Sequence, residues 1–201
     1  IESLNNIIEL FVPEIIPNFL DNIYVYGDVA NPGPFELEKF DSLEKLINSL
    51  SFTNDLYPFF AILENTSDST QKNEFFAFSI YDKKTMKGLK LQPGSKVYLF
   101  HKSYFLFSEN YPVEIPSAAQ RIIDGYSLSF NGEFLNNAVM PVYGQARLMD
   151  LINYIGGFAP TADKTRLEVI FPLEVKTLTN PDPDFLLDTP LSVSVNAPKF
   201  N

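Results

Sequence analysis

Hydrophobic positions along the chain change period in an order that predicts a β-hairpin followed by a helix. Residues 23–29 alternate between apolar and polar side chains as in a strand, and residues 35–37 continue as a second strand. The turn between them has the sequence Asn31-Pro32-Gly33. An apolar stripe at helical spacing comes next, and it consists of Leu43, Leu46, Ile47 and Leu50. Asp41 and Glu44 predict a capping box at the start of this helix.

The same pattern returns after Gly132, which lies 105 positions beyond Gly27. Corresponding positions keep their hydrophobic character without a gap through the strands, the turn and the helix. The second apolar stripe consists of Leu148, Leu151, Ile152 and Ile155. A fixed register of this kind is the mark of a duplicated supersecondary unit. We therefore expect two copies of one small domain, with Leu46 and Leu151 as equivalent buried positions.

The remaining patterns complete each copy. In the first, strands are predicted at 59–63 and 75–80, separated by a polar loop at 64–73, and residues 89–100 predict a turn at Pro93-Gly94 and a further strand. In the second, the prediction is a hairpin from 126–135 and 139–143, a helix at 147–155 ended by Gly156-Gly157, and a strand at 167–171. The order strand, strand, helix, strand, strand predicts an α+β chain of two β-grasp, or ubiquitin-like, domains.

Four segments follow from these patterns. Residues 1–21 hold a short amphipathic helix at 3–11 and a linker, and they could be the tail of a preceding unit. The first domain is placed at 22–108 and the second at 126–201. The linker between them, 109–125, includes one or two predicted helical turns at 117–124. Because the chain opens at Ile1 without Met or a signal peptide, it is interpreted as a fragment or a mature form.

Composition narrows the function. A formal net charge of −10 would repel a phosphate backbone, so nucleic acid is not an expected partner. The longest apolar runs fall far short of the ~20 residues of a spanning helix, so no membrane span is expected. There is no cysteine, which removes thiol catalysis and disulfides. With 45% hydrophobic residues the chain can bury a core.

The ordered motifs resemble one family. The stretch from Val25 to Leu37, the Leu-x-x-Leu-Ile helix and the stretch from Leu91 to Val97 are similar to SLBB domains, the soluble-ligand-binding β-grasp family. The second copy resembles it through residues 130–134, 148–152 and 155–158. Two loops depart from the family pattern, because Ser51-Phe52 replaces Gly-Gly and residues 136–138 replace Asn-Pro-Gly.

This resemblance implies a role. Tandem SLBB domains are typical of bacterial proteins that export capsule or exopolysaccharide, where they form periplasmic parts of an outer-membrane assembly. The implied function is a non-enzymatic periplasmic module, with copies of itself or another envelope export protein as partners and a polysaccharide as a further ligand. The first alternative is a discrete carbohydrate-binding module, which would need an exposed Tyr/Phe platform flanked by polar groups. The second alternative is a hydrolase with buried carboxylates in a shared cleft.

Candidate contact residues lie at the hairpin tips, in the aromatic segment 57–60, which is expected to be exposed, and after the second helix. They are Asn31, Pro32, Gly33, Tyr57, Phe59, Asn136, Asn137, Gly156 and Gly157. Asn-Pro-Gly and Gly-Gly also have a purely structural interpretation as a tight turn and a helix end, and this interpretation is favoured. Most of the aromatic side chains are likewise expected in the core.

No catalytic residue, cofactor or metal ligand is predicted. His101 is the single histidine, and it is interpreted as a surface residue at a strand end without a catalytic partner. Asp182 and Asp184 do not have the spacing of a calcium loop, so they are assigned to a solvated loop. The sequence also lacks the glycine-rich phosphate-binding loops of nucleotide enzymes.

Overall fold

The first hairpin and helix form where the pattern predicts them. The computed structural model describes residues 21–66, 72–106, 114–171, 174–179 and 190–193. Strand β1 (Asn22–Gly27) pairs antiparallel with β2 (Gly33–Glu36), and helix α1 (Leu43–Ser49) follows. The predicted capping box is wrong by one position, because Ser42 and not Asp41 accepts the Lys45 backbone N–H. Asp41 instead forms an ion pair with the Lys45 ammonium. The helix predicted at 3–11 and both Asp182 and Asp184 lie outside the described residues.

A mixed sheet of five strands forms in the first half. It adds β3 (Leu56–Thr66), β4 (Asn73–Phe78) and β5 (Lys96–His101) in the order β2-β1-β5-β3-β4. The β1–β5 pair is parallel and the other pairs are antiparallel. The predicted loop at 64–73 is therefore too long, because its first three residues and Asn73 belong to strands. Helix α2 (Lys83–Gly88), which the pattern did not predict, connects β4 to β5, and α3 (Lys102–Leu106) follows β5.

The second half begins with a helix and repeats the hairpin. Helix α4 (Ser117–Tyr126) confirms the predicted helical turns. It is followed by β6 (Ser127–Asn131), β7 (Ala138–Pro141), β8 (Gly144–Arg147) and α5 (Leu148–Tyr154). Strands β9 (Arg166–Phe171) and β10 (Glu174–Thr179) complete a sheet of order β10-β9-β6-β7. Strand β11 (Pro190–Val193) pairs with β8 in a separate two-stranded sheet.

The two hairpins and their helices share one register. Ile23 lies opposite Phe35 in the first hairpin, and Leu128 lies opposite Met140 in the second, so both partners are displaced by the same 105 positions. Helices α1 and α5 begin and end at positions with the same displacement. Leu46 and Leu151, predicted to be equivalent and buried, both have no exposed surface.

The sheets differ at their centre. In the first, β5 lies between β1 and β3, whereas in the second β9 pairs directly and antiparallel with β6. If β9 is matched with β3 and β10 with β4, the second sheet has the order of the first without its central strand. Among the described residues of the second half, no strand takes the place of β5. The structure thus shows an α+β chain whose second sheet is the simpler one.

The first sheet is covered on both faces. One face packs on α1 and α2, and the buried cluster there includes Val25, Leu46, Leu63 and Met86. The opposite face forms a second cluster with α4, α5 and the second hairpin, which includes Phe60, Phe100, Phe130 and Leu151. Strand β3 is consequently buried from Leu56 to Asn65. No helix in the described ranges is long and apolar enough to cross a bilayer.

Candidate functional site

The first hairpin tip is open to solvent. Asn31 and Pro32 are exposed. Gly33 is half-buried, because it is the first residue of β2 and lies opposite Val25 of β1. Gly33 has φ = +136°, a backbone conformation that side chains with a Cβ rarely adopt. Residues 26–32 form the connection between the paired parts of the two strands, and the side chains of Asn31 and Pro32 are exposed in it.

The second hairpin tip and the Gly-Gly segment come together. The Asn136 side-chain amide donates to the Ile155 carbonyl at 2.8 Å, and the Leu135 backbone N–H donates to the Gly157 carbonyl at 3.0 Å. Asn137 is exposed beside them. Glycine at position 156 allows this close approach, because a Cβ there would lie 3.0 Å from the Asn136 amide nitrogen. The Asn136 amide is thus used within the fold, while Leu135 remains 59% exposed.

Tyr57 and Phe59 lie inside the protein, so the expectation that segment 57–60 is exposed is wrong. Tyr57 is 1% exposed and its hydroxyl donates to the Pro141 carbonyl at 2.9 Å. The Phe59 carbonyl accepts the Tyr143 backbone N–H at 3.0 Å. Burial raises the pKa of the Tyr57 phenol well above its usual range, so this group stays neutral. The physical reason for the error is that elements of the second half cover this segment.

These two bonds hold the wall of a cleft between the halves of the chain. We call it the junction cleft; it has a volume of about 310 Å³ and is lined by Ser79, Tyr81, Asp82, Tyr143, Gly144 and Gln145. The first three residues lie in the turn between β4 and α2. Tyr143 directly precedes β8, and Gly144 and Gln145 are its first two residues. Tyr81 is 65% exposed, and its ring meets the buried Phe59 ring with centroids 5.8 Å apart.

The turn that carries Tyr81 is fixed by hydrogen bonds. The Ser79 hydroxyl donates to the Pro58 carbonyl at 3.0 Å and accepts the Tyr81 backbone N–H at 3.2 Å. Asp82 caps α2 by accepting the Thr85 backbone N–H at 3.0 Å and the Thr85 hydroxyl at 2.7 Å. The backbone N–H of Thr85 is the main reason that the pKa of Asp82 is lowered. The carboxylate at the cleft is therefore ionised at neutral pH.

The opposite wall is also aromatic and polar. Tyr143 packs on Tyr126 with ring centroids 5.5 Å apart, and Gly144 turns the chain with φ = +75°. A Cβ on Gly144 would approach the Asp82 carboxylate at 3.8 Å, so a side chain there would narrow the cleft. Gln145 is exposed and offers both an amide donor and an acceptor. The cleft thus combines tyrosine rings with hydrogen-bonding groups of both kinds.

None of these lining residues was singled out from the sequence. Tyr81 and Tyr143 belong to opposite halves of the chain, and nothing in the pattern predicts that they meet. A local signal did exist on one side, because Asp82 followed by Thr85 is typical of a helix start. It would have placed Tyr81 in an exposed turn between a strand and a helix.

His101 does have partners in space, contrary to the sequence interpretation. It lies at the end of β5, as predicted, and its Nδ1 accepts the Ser103 backbone N–H at 3.1 Å. The Ser103 hydroxyl lies 2.6 Å from the same nitrogen, and Asp55 lies 3.7 Å from Nε2. However, Ser103 is only 7% exposed and Asp55 also pairs with Lys102. The arrangement secures the start of α3, because the His101 ring accepts the Ser103 backbone N–H and the Asp55 carboxylate pairs with Lys102.

Two comparisons with known proteins found no match. No protein-family model matches the chain, and no curated protein matches it either. In the described part of the chain, no cluster of three or more His, Asp or Glu side chains is placed to hold a metal ion. In the described residues, the junction cleft offers a concave aromatic surface and the second hairpin tip offers an exposed apolar one.

Proposed function

We propose that this chain is a non-enzymatic, periplasmic module of an assembly that exports capsule or exopolysaccharide, built on β-grasp domains of the SLBB type. The observation that supports it most is the strand order β2-β1-β5-β3-β4 with a parallel central pair and α1 across one face. This is the arrangement that the resemblance implies. The periplasmic location and the export role come from the resemblance itself.

A tandem arrangement is part of the proposal. The hairpin and helix recur at a distance of 105 positions with matching register, and the second sheet keeps the order of the first apart from its central strand. The described part of the second domain would then be a copy of the first that lacks an equivalent of β5. The shared core connects the two copies through buried side chains, which suits a structural part of an assembly better than two independent modules would.

The proposed partner is a second copy of this chain, bound at the second hairpin. Leu135 and Val139 are 59% and 53% exposed there, next to the exposed amide of Asn137. A net charge of −10 makes long-range attraction between copies unfavourable, so the contact needs apolar burial and hydrogen bonds. At the first hairpin, Pro32 precedes the edge strand β2 and Pro34 lies within it, and proline disfavours pairing with another strand.

The experiment is the mass of the full-length protein in solution, measured by light scattering. We expect a ring-sized assembly in the unmodified protein, and a smaller species in the double variant Leu135→Asp, Val139→Asp. Asn48→Asp introduces a single negative charge on an exposed position of α1 and serves as the control for the effect of added charge. A monomer at all accessible concentrations, or a double variant that assembles like the unmodified protein, would contradict the proposed assembly.

A further inference from the structure

The junction cleft has the composition of a site for an uncharged sugar ring. Tyr81 and Tyr143 both line it, and the residue Tyr81 is 65% exposed. The C–H face of a pyranose packs on an aromatic ring, while its hydroxyls need donors and acceptors at the ring edge. Gln145 supplies both, and Asp82 supplies an acceptor that its contact with Thr85 already orients.

The negative charge of Asp82 makes the cleft unfavourable for anionic sugars. Asp82 is ionised at neutral pH and lies in the cleft wall of a protein with a net charge of −10. A uronic acid or a phosphorylated sugar would bring a second negative charge close to this carboxylate, which is unfavourable. A neutral ring has no such penalty.

The walls are also preformed. Tyr143 is attached to β3 through the Phe59 carbonyl, and Tyr81 is attached through Ser79 to Pro58. Both walls are therefore fixed to the same strand, which is buried along most of its length. A ligand would not have to order a loop on binding, and this lowers the entropic cost of a shallow site. The volume of about 310 Å³ is enough for one sugar ring with a neighbour extending into solvent.

We propose that the junction cleft binds an uncharged saccharide, with Tyr81 as the stacking platform and Asp82 and Gln145 as hydrogen-bonding partners. The site deepens the proposed function, since it gives the export module a direct contact with the polymer, and it rests on that function only for the biological source of the sugar. The chemistry of the cleft itself does not depend on assembly.

The test is a titration followed by NMR, with the backbone amides of Tyr81, Gly144 and Gln145 as reporters. The probes are hexasaccharides of α-1,4-linked glucose, β-1,4-linked glucose and β-1,3-linked glucose, with hexagalacturonate as the charged comparison. We expect at least one neutral probe to shift these amides in a saturable way, and hexagalacturonate to bind at least about tenfold more weakly. Tyr81→Ala should weaken binding about tenfold, whereas Tyr81→Phe, which keeps the ring, should stay within about threefold.

Phe52→Ala is the matched control, because Phe52 is another partly exposed aromatic residue and does not line the cleft. It should leave the affinity unchanged. The proposal is overturned if no neutral probe shifts the cleft amides at about 20 mM, if hexagalacturonate binds best, or if Tyr81→Ala binds like the unmodified protein. Light scattering on the same samples separates the two proposals. Assembly without sugar binding refutes only the cleft, and sugar binding by a permanent monomer refutes only the assembly.

Discussion

Two consecutive glycines after α5 differ in what surrounds them. Gly156 and Gly157 have φ = +96° and +94°, so both adopt the left-handed conformation that ends a helix. Only Gly156 is crowded, since an added Cβ would lie 3.0 Å from the Asn136 amide nitrogen, whereas nothing lies within 4 Å at Gly157. The Asn136 amide cannot move away freely because it donates to the Ile155 carbonyl.

We therefore expect Gly156→Ala to destabilise the protein more than Gly157→Ala. Gly157→Ala should cost about 1–2 kcal/mol, the penalty of the left-handed backbone alone. Gly156→Ala should cost at least about 1 kcal/mol more, because it also displaces the Asn136 hydrogen bond. The measurement is urea unfolding of both variants. Equal costs would show that the hairpin tip adjusts to a side chain without losing its bond.

At the scale of elements, α1 and α5 present their apolar stripes in the same way. Leu46 and Leu151 each have no exposed surface. Leu46 belongs to the cluster between α1, α2 and the first sheet, and Leu151 belongs to the core that the two halves share. Truncation at either position removes buried methyl groups and leaves a cavity.

Leu46→Ala and Leu151→Ala should each lower the free energy of unfolding by about 2–5 kcal/mol. Leu135→Ala is the control, because this leucine is 59% exposed and its truncation should cost less than about 0.5 kcal/mol. Chemical denaturation of the three variants checks the prediction. A small effect at Leu151 alone would mean that the second helix is not the structural equivalent of the first.

The caps of α1 and α2 differ in charge, which predicts different responses to pH. Asp82 caps α2 through its carboxylate, and its pKa is lowered mainly by the Thr85 backbone N–H. A lowered pKa in the folded state means that this stabilisation is present above the unfolded-state pKa of ~3.9 and is lost as the pH falls through the folded-state pKa. Ser42, which caps α1, does not titrate.

Asp82→Ala should therefore destabilise the protein by about 0.5–2 kcal/mol at pH 7, and by clearly less at pH 2.5. Ser42→Ala should show a loss that does not change between these two pH values. Urea titrations of both variants and the unmodified protein at each pH provide the measurement. If the Asp82→Ala loss were the same at both pH values, the cap would not depend on the charge.

The elements also show what the sequence can and cannot predict. The hairpins and the helices α1 and α5 could be predicted because each buries one face, and a single buried face leaves a periodic apolar pattern in the sequence. Helix α2 was not, because Met86 is its single buried residue and leaves no apolar stripe. Strand β3 was predicted too short because Glu64 and Asn65 are polar, yet specific partners satisfy them. Glu64 accepts from the Tyr98 hydroxyl and the Lys96 ammonium, and Asn65 accepts from Ser95.

The candidate site was the least predictable part for a related reason. Whether Tyr57 is exposed depends on which layer covers β3, and the covering residues lie about 80 positions further along the chain. Local pattern carries no information on such a contact. The hairpin connections, in contrast, were predicted close to where they lie, because turn-forming residues such as Asn31 and Pro32 act locally. They are longer than predicted, since β1 ends at Gly27 and β6 ends at Asn131.

At the scale of the whole molecule, a few bonds connect the halves through a shared apolar core. The Tyr57 hydroxyl and the Pro141 carbonyl are both buried, so each depends on the other for its hydrogen bond. The cluster around them includes side chains from β3, α4, β6 and α5. Such a core makes the stability of one half depend on the other.

We expect the chain to unfold in a single cooperative transition, and Tyr57→Phe to lower its midpoint. The variant keeps the ring and leaves the Pro141 carbonyl without its partner, which should cost about 1–2 kcal/mol. Tyr81→Phe, at an exposed ring, should cost less than about 0.5 kcal/mol. Urea unfolding followed by tyrosine fluorescence and by circular dichroism should give coincident curves. Two separated transitions would show that the halves fold independently.

The burial of β3 on both faces also has a consequence for synthesis on the ribosome. When residues 56–65 leave the exit tunnel, α1 is already available to cover one face, but the side chains that cover the other face belong to residues not yet translated. Translation proceeds at roughly 5–20 residues per second, so the sheet face with Phe60 and Phe100 stays uncovered for several seconds. During that interval the nascent chain exposes an aromatic surface that a chaperone can hold, so we expect the emerging first half to depend on chaperones more than the finished protein does.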